Sequence, residues 1–519
     1  MPADTALLDS RLAPFASLQT AVAALPRWSI LLLVAIAVRA LTFGNPVVHV
    51  DEEFYFVTAR MMLDGALPFV DIWDRKPVGL FLLYLPAAAF GVPGGIWVYQ
   101  MMALASVVAT ALVILRLAKH AGWERGGMVA AILYILMLNF GDGQGGQSPV
   151  FYNLLTAVAV AAIVPRPREA RDSAARFRRG MIAMALIGVA LQIKYSVLFE
   201  GAFLGLWLMW REHRLGTSTA DVVRRGAAWA AIAAAPTLAA WAFYVAVGHG
   251  DAWFYANFGS IVDRQSDPAL VLLRAFLKVA LILGLLLIVS GLSRRVPVRD
   301  ASEHPVRALY FGWLIASVFG LLVFGSWFNH YALPVLLPAC VCCAGYLGGH
   351  RLGRALVAPA LLAMALFGGE YTAWSAAWHR GNAQQLETLA DAIGHGPGCM
   401  YVYSGNSILY SYTGRCALSP WLFPSHLSRE RENGALGVNQ LAEIDRIFDQ
   451  RPEIVVMRPE YFGERMAAHA LTVRRLNAGG YTLRGRYPLG DLMIDVYAAP
   501  GVTASAVPIP PRRAASKPS

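Results

Sequence analysis

The sequence predicts a polytopic α-helical membrane protein with a small α/β domain near its C-terminal end. Three observations carry that prediction. Only 15% of the 519 residues are charged and 57% are hydrophobic, whereas an ordinary soluble domain is about 25% charged, and the mean hydropathy is +0.49. Apolar runs such as Trp28–Val38 and Val279–Leu292 recur along the chain, and with their flanks they approach the roughly 20 residues that cross a bilayer. Beyond residue 370 these runs give way to mixed sequence. The 44 Lys and Arg exceed the 33 Asp and Glu by 11, which in a soluble chain would suggest nucleic acid. Here the apolar runs explain the chain, so a nucleic-acid binder and a secreted soluble enzyme are both excluded.

Taken in order, the apolar runs lie near residues 28–43, 78–92, 97–117, 126–140, 149–164, 181–193, 196–210, 227–247, 271–292, 308–325, 334–348 and 355–369. Met1–Arg27 lacks a signal-peptide cleavage pattern, so the first run is expected to be kept as a span. The connections 116–125, 165–180, 211–226, 293–307 and 349–354 hold 3, 6, 4, 4 and 2 Lys/Arg. The alternate connections 141–148, 194–195, 248–270 and 326–333 hold 0, 1, 1 and 0. Cytoplasmic loops carry the excess of positive charge, so the first set is cytoplasmic. Parity then excludes Val78–Val92 as a span. That run is short, contains Pro86, and reads as an interfacial or re-entrant helix on the outer face. The expectation is about 11 spans in an inner membrane, with a cytoplasmic N-terminus. Residues 1–370 form the membrane domain, with a first external loop near 44–96. Residues 371–500 form a periplasmic α/β domain, and residues 501–519, rich in Pro, Ala and Arg, a disordered tail. Within the α/β domain, Met400-Tyr-Val and Glu453-Ile-Val-Val-Met read as buried strands, alternating with helices near 381–393 and 438–449.

The cysteines add one expectation. Cys340, Cys342 and Cys343 sit in an apolar run and read as packing residues. Nothing in the spacing of Cys and His suits zinc. Cys399 and Cys416 lie in a compartment where a disulfide persists, and bonding them would contribute roughly 3 kcal/mol on the chain-entropy account.

The first external loop concentrates the polar chemistry. It runs from Asp51-Glu52-Glu53 through Tyr55 and Gly65 to Asp74-Arg75-Lys76-Pro77. Asp51 suits a helix N-cap and Gly65 the position after a C-cap. Phe54, Val57 and Met61 then form a stripe expected to lie on the membrane surface. The bland reading is that the three acids complement a helix dipole and that Asp74–Pro77 is an interfacial charge cluster. The functional reading joins them: a carboxylate would take a proton from an acceptor hydroxyl, and the cations would stabilise a leaving phosphate.

Asp51-Glu52 just after the first span, the helix ending in Asp64-Gly65, and Asp74-Arg75-Lys76-Pro77 together resemble the first loop of glycosyltransferase family 39. That family includes protein O-mannosyltransferases and the bacterial aminoarabinose transferase of lipid A. Gly188-Val-Ala-Leu-Gln-Ile-Lys194 and His330-Tyr331-Ala-Leu-Pro334 are similar to other stretches of the family. The resemblance spans roughly residues 28–370. It implies a GT-C fold with its site on the non-cytoplasmic face, and transfer with inversion of a sugar from a polyprenyl-phosphate carrier. It departs at Gly141–Pro149, where Gln147-Ser148 stands where relatives often carry an acid; Asp142 is the nearby substitute.

On this reading Asp51 is the base, with Glu52 or Asp74 orienting groups or a divalent cation. Arg75, Lys76 and Lys194 contact the donor phosphate, and Tyr55, His330 and Tyr331 line the substrate site. No cofactor is expected, and the partners are the lipid-linked donor, membrane lipid and an unnamed acceptor. Lys194, between two spans, is a functional hypothesis by its depth, beside the alternative of a snorkelling lysine. Arg39 would snorkel or hold a carboxylate. Asp251, Trp253, Tyr255 and Asp263-Arg264 would cover a groove or form an aromatic belt. A transporter or flippase for a lipid-linked or anionic cargo is the rival, although such proteins place their polar site at the midplane. A non-catalytic envelope scaffold is the third reading.

Overall fold

The computed structural model describes residues 25–166 and 172–502. Its helices fall where the apolar runs do, with one more over the acids of the first loop. They are α1 (Arg27–Arg39), α2 (Val50–Leu63), α3 (Val78–Ala88), α4 (Gly94–His120), α5 (Glu124–Met137), α6 (Ser148–Ile163) and α7 (Ser173–Leu191). These are followed by α8 (Leu198–Arg214), α9 (Thr219–Ala246), α10 (Ala269–Leu292), α11 (Glu303–Phe324), α12 (Leu333–Gly349) and α13 (Ala358–Arg380). Six helical stretches among the described residues are long and apolar enough to cross a membrane; α3 and α6 are shorter apolar helices. Leu281 on α10 and Phe367 on α13 are among the many large apolar side chains left exposed, as a lipid-facing surface requires. The chain is a helical membrane protein.

Gly381, at φ +99°, ends α13. Asn382 then starts α14 (Ala383–Ile393) through a reciprocal capping box with Gln385, which satisfies two backbone amides and fixes the angle at which the chain leaves the bundle. The junction is stitched from both sides. Asn45 Nδ2 donates to the Gly381 carbonyl at 3.1 Å, and Arg380 donates to the Val48 carbonyl and pairs with Asp142 at 2.9 Å.

The C-terminal domain is built on a four-stranded sheet in the order β1 (Met400–Val402), β2 (Ile454–Met457), β4 (Leu492–Ala498), β3 (Thr482–Leu489). β1 and β2 are parallel, with Tyr401 opposite Val455; β4 runs antiparallel to both its neighbours. Helices α14, α15 (Gln440–Asp449) and α16 (Met466–Ala478) accompany it. The β1–β2 pair, α14 and α15 match the expectation. The β3–β4 hairpin was not expected, because Arg484, Arg486 and Asp495 dilute its alternation. Its signal was the Gly490-Asp491 turn, with Gly490 at φ +62°. Cys399 and Cys416, 17 positions apart, are disulfide-bonded. Cys340, Cys342 and Cys343 are buried free thiols. Of the tail expected to be disordered, only Gly501 and Val502 are among the described residues.

Helix α2 departs from expectation. It does not lie on a surface: Phe54 and Val57 are buried, because α3 packs along this helix and the C-terminal domain closes over Phe54. Phe54 meets Phe423 and His426 edge-on, at 5.3 and 6.3 Å between ring centroids. An apolar stripe records that something covers it, and here the cover is protein.

A candidate active site between the bundle and the domain

The loops with few basic residues converge at one end of the bundle. Asn329 donates to Asp142 at 3.0 Å, and Gln147 reaches Asp51 at 2.9 Å. Between these loops and the C-terminal domain lies a cavity of about 990 Å³, lined by Asp51, Asp74, Arg75, Lys76, Lys194, His330 and Tyr331 among others. Seven of the nine residues singled out from the sequence thus share one cavity, although they come from positions 51 to 331.

Asp51 lines this cavity. It is not the N-cap. α2 begins one residue earlier, and extended His49 caps it by accepting the Asp51 amide at 3.2 Å on Nδ1. The Asp51 carboxylate is therefore free for other partners. Lys76 Nζ lies 3.6 Å from Oδ1, and Gln147 Nε2 donates to Oδ2. Burial disfavours its charge, but Lys76, His49, His330 and the Gln147 amide outweigh burial and hold the Asp51 pKa well below the ordinary range. Lys76 is shared with Asp74 at 2.7 Å. Its ammonium lies 5.2 Å from the Phe423 ring and 5.3 Å from Tyr55. Burial opposes its charge, yet the two aspartates keep its pKa raised.

Lys194 differs. It has no carboxylate partner among the described residues, and its ammonium stands 4.7 Å over the Tyr331 ring. Burial lowers its pKa to about 8. Arg75 is already engaged, binding Glu432 at 2.6 Å and the Ala435 carbonyl at 2.7 Å. Its first partner is thus the C-terminal domain.

Two of the nine do not line the cavity. Successive helix residues point about 100° apart, so with Asp51 facing the cavity Glu52 turns into the bundle, where it is 0% exposed. It lies beneath Gly145, where any Cβ would collide with its carboxylate. Burial raises its pKa to about 7, against the Gly146 amide and Arg39. Tyr55 is buried behind Lys76, its hydroxyl 3.4 Å from Gln147. Arg39 holds no carboxylate by hydrogen bond: it donates to the carbonyls of Gly143 and Gly145 and so braces the loop that presents Gln147. That loop resolves the departure at Gln147-Ser148. The neutral Gln147 amide, not Asp142, touches Asp51, while Asp142 is bound to Arg380 and Asn329.

Sequence reasoning missed His49, read Arg264 only as part of a cover, and missed the domain's contribution. Glu432 binds Arg264 at 2.8 Å as well as Arg75, and His49, Asp51 and His330 bring their ligand atoms within 4.8 Å of one another. Glu53 also meets the domain. Its Oε1 accepts from Asn406 at 2.8 Å, and burial raises its pKa to about 8. Nothing in the local sequence links these partners.

No protein-family profile and no curated protein matches this chain. Solved structures do match. The fold is similar to ArnT from Cupriavidus metallidurans bound to undecaprenyl phosphate, at 14% identity over 90% of this chain and 96% of that one, with a TM-score of 0.59. It is also similar to the Archaeoglobus fulgidus oligosaccharyltransferase in its apo form, at 13% identity over 83% and 69% of the chains, with a TM-score of 0.51. The same protein in complex with Zn and sulfate gives 12% identity over 90% and 73%, and 0.52. The chain has the GT-C fold. A likeness at these identities establishes the architecture, and the chemistry must come from the site.

Proposed function

We propose that this protein is an inverting glycosyltransferase that moves a sugar from a polyprenyl-phosphate donor to an extracytoplasmic acceptor. The observation that carries the reading is Asp51 beside Lys76, with Lys194 bare of any acid, on one cavity at the end of a membrane bundle. Two half-buried ammonium groups on one cavity, one of them without a carboxylate at salt-bridge distance among the described residues, suit a phosphate. The undecaprenyl phosphate bound to ArnT in a matching fold supports the donor class. Clustering of the poorly basic loops around the cavity supports a periplasmic site, with about 11 spans in the inner membrane. A reporter active only in the periplasm, fused after residue 380, should work; activity of a cytoplasm-only reporter there would overturn that topology.

In the reaction the acceptor oxygen attacks the anomeric carbon and the bond from that carbon to the phosphate oxygen breaks. The polyprenyl phosphate leaves with the electron pair, and the hydroxyl proton passes to Asp51. A carboxylate held far below its ordinary pKa is a weak base. Donor binding remedies this: the phosphate competes for Lys76, and Asp51, relieved of its cation, gains basicity. Lys194 and Lys76 then stabilise the charge that builds on the leaving phosphate, while Asp74 keeps Lys76 in place.

A second reading has a cation at the same place. Two imidazoles and a carboxylate are a zinc-type ligand set, and the sulfate and Zn complex of the oligosaccharyltransferase favours it. Ligand atoms around one zinc lie roughly 3.3 Å apart, so His49, Asp51 and His330 would have to close from their 4.8 Å spread. Such an ion would supply positive charge toward the phosphate. The test is transfer from a polyprenyl-phosphate sugar by purified, folded Asp51→Asn, with and without chelator. We expect turnover to fall about 10²–10⁴-fold without change in the unfolding midpoint. Near-normal turnover would remove Asp51 as the base.

A further inference from the structure

The cavity has a second cationic wall that the transfer chemistry does not use. β1 and β2 are parallel, and the chain leaving their C-terminal ends faces the cavity with Ser404, Gly405 and Asn406 after β1 and with Arg458 and Tyr461 after β2. The carboxyl ends of parallel strands are where α/β sheets place ligands. Arg458 stacks on the Tyr461 ring at 3.6 Å, and Arg429, from a separate segment, lies 5.7 Å from the same ring. Among the described residues neither guanidinium has a carboxylate or a hydrogen-bond partner. The nearby Glu464 is committed elsewhere: it accepts from the Tyr403 hydroxyl at 2.8 Å, from the Tyr461 amide at 3.3 Å, and lies 3.0 Å from His469 Nδ1. The neighbouring arginines show the contrast, since Arg264 binds Glu432 and Arg431 binds Asp267 at 2.9 Å. Two adjacent like charges half out of water are costly unless an anion joins them.

We propose that Arg429 and Arg458, aligned by Tyr461, form an oxyanion subsite that holds a phosphate group of the acceptor. This rests on the transferase reading for the word acceptor, but the anion site stands on its own geometry. Guanidinium pairs bind phosphate in forked, charge-assisted bonds, and the aromatic ring fixes their planes. An acceptor anchored here by its phosphate would extend a hydroxyl toward Asp51, while the donor phosphate occupies the part of the cavity lined by Lys76 and Lys194. The two walls thus bind two different phosphates, one that leaves and one that stays.

Direct binding separates this proposal from the transfer reaction. Purified full-length Lys76→Gln/Lys194→Gln protein, with the donor wall silenced, is titrated calorimetrically with inorganic phosphate. Saturable binding at one site is expected, weakened about tenfold or more by adding Arg429→Gln and Arg458→Gln. Arg458→Lys, which keeps the charge but loses the fork, should weaken binding less and guards against misfolding, checked by an unchanged unfolding midpoint. Glucose 6-phosphate against nanodiscs containing phosphatidic acid then tells a phosphate on a soluble glycan from one on a lipid. No phosphate binding in the lysine double variant, or binding indifferent to both arginines, overturns the proposal. Failure of Asp51→Asn to slow transfer would instead overturn the transferase reading and leave the anion site intact.

Discussion

The two ends of the helix bundle use the same residue types to opposite effect. At the end built from the basic connections, Glu212 is buried and binds Arg176 at 2.6 Å and Arg225 at 2.7 Å. There Arg307 pairs with Glu303 at 2.7 Å and donates to the carbonyls of Ala121, Val296 and Pro297. Each of these arginines has a carboxylate within hydrogen-bonding distance. At the other end Lys76 divides itself between two aspartates and Lys194 has none. A half-buried cation without a carboxylate contact is a cost that folding alone does not explain; a ligand that brings negative charge does. What separates a structural ion cluster from a site is therefore a cation left without a carboxylate contact, and the presence of Lys, Arg or Glu says nothing by itself.

Three measurements probe that contrast. The largest effect is expected at the unmatched end. Lys194→Ala should weaken donor binding and slow transfer, together costing about 10–100-fold in kcat/KM, the worth of a charge-assisted bond to phosphate. Its unfolding midpoint should stay the same or rise, since the buried charge is removed. A fall in stability with unchanged kinetics would make Lys194 a structural lysine and erase the difference between the two ends.

At the matched end the expectation reverses. Glu212→Gln leaves Arg176 and Arg225 without their counter-charge and should cost roughly 1–3 kcal/mol of stability, read as a lower unfolding midpoint, while kcat per folded molecule is unchanged. Loss of turnover without loss of stability would show that the basic end communicates with the site.

The smallest effect is in pH. Lys194 is charged below about 8, so donor affinity should hold up to that pH and decline several-fold above it. The linked stability has the opposite sign. Because the folded-state pKa lies below the unfolded value of 10.5, the unfolded chain binds more protons between the two, and stability rises with pH across that window. Lys194→Arg should move the affinity limb out of the measurable range. A limb that stays near 8 in that variant belongs to another group.

Much of this was readable in the residues, and the misses share a cause. The helices were legible because lipid demands long apolar runs, and the grouping of the loops at the two ends of the bundle because arginine is unevenly distributed. The first-loop cluster was legible because Asp51 and Lys76 lie 25 positions apart on one connection. Glu52, next to Asp51 in the sequence, turns into the bundle because a helix rotates successive residues, which spacing alone does not show. Gln147 was noticed only as a departure, since its value lies in meeting Asp51 from 96 positions away. His49 carried no signal beyond being a polar residue before a helix.

The sequence by itself determined the kind of surroundings each segment needs: apolar runs to cross lipid, arginines gathered in alternate connections, a disulfide pair and short strands for the tail. Those are properties of a residue and its near neighbours, so they survive without coordinates. Only the tertiary structure decided which charges are matched and which are left over. It folded the C-terminal domain over α2, committed Arg75 to Glu432, and left Lys194, Arg429 and Arg458 without an acidic partner among the described residues. Pairing falls off within a few ångströms and joins residues hundreds of positions apart, which no reading along the chain can supply.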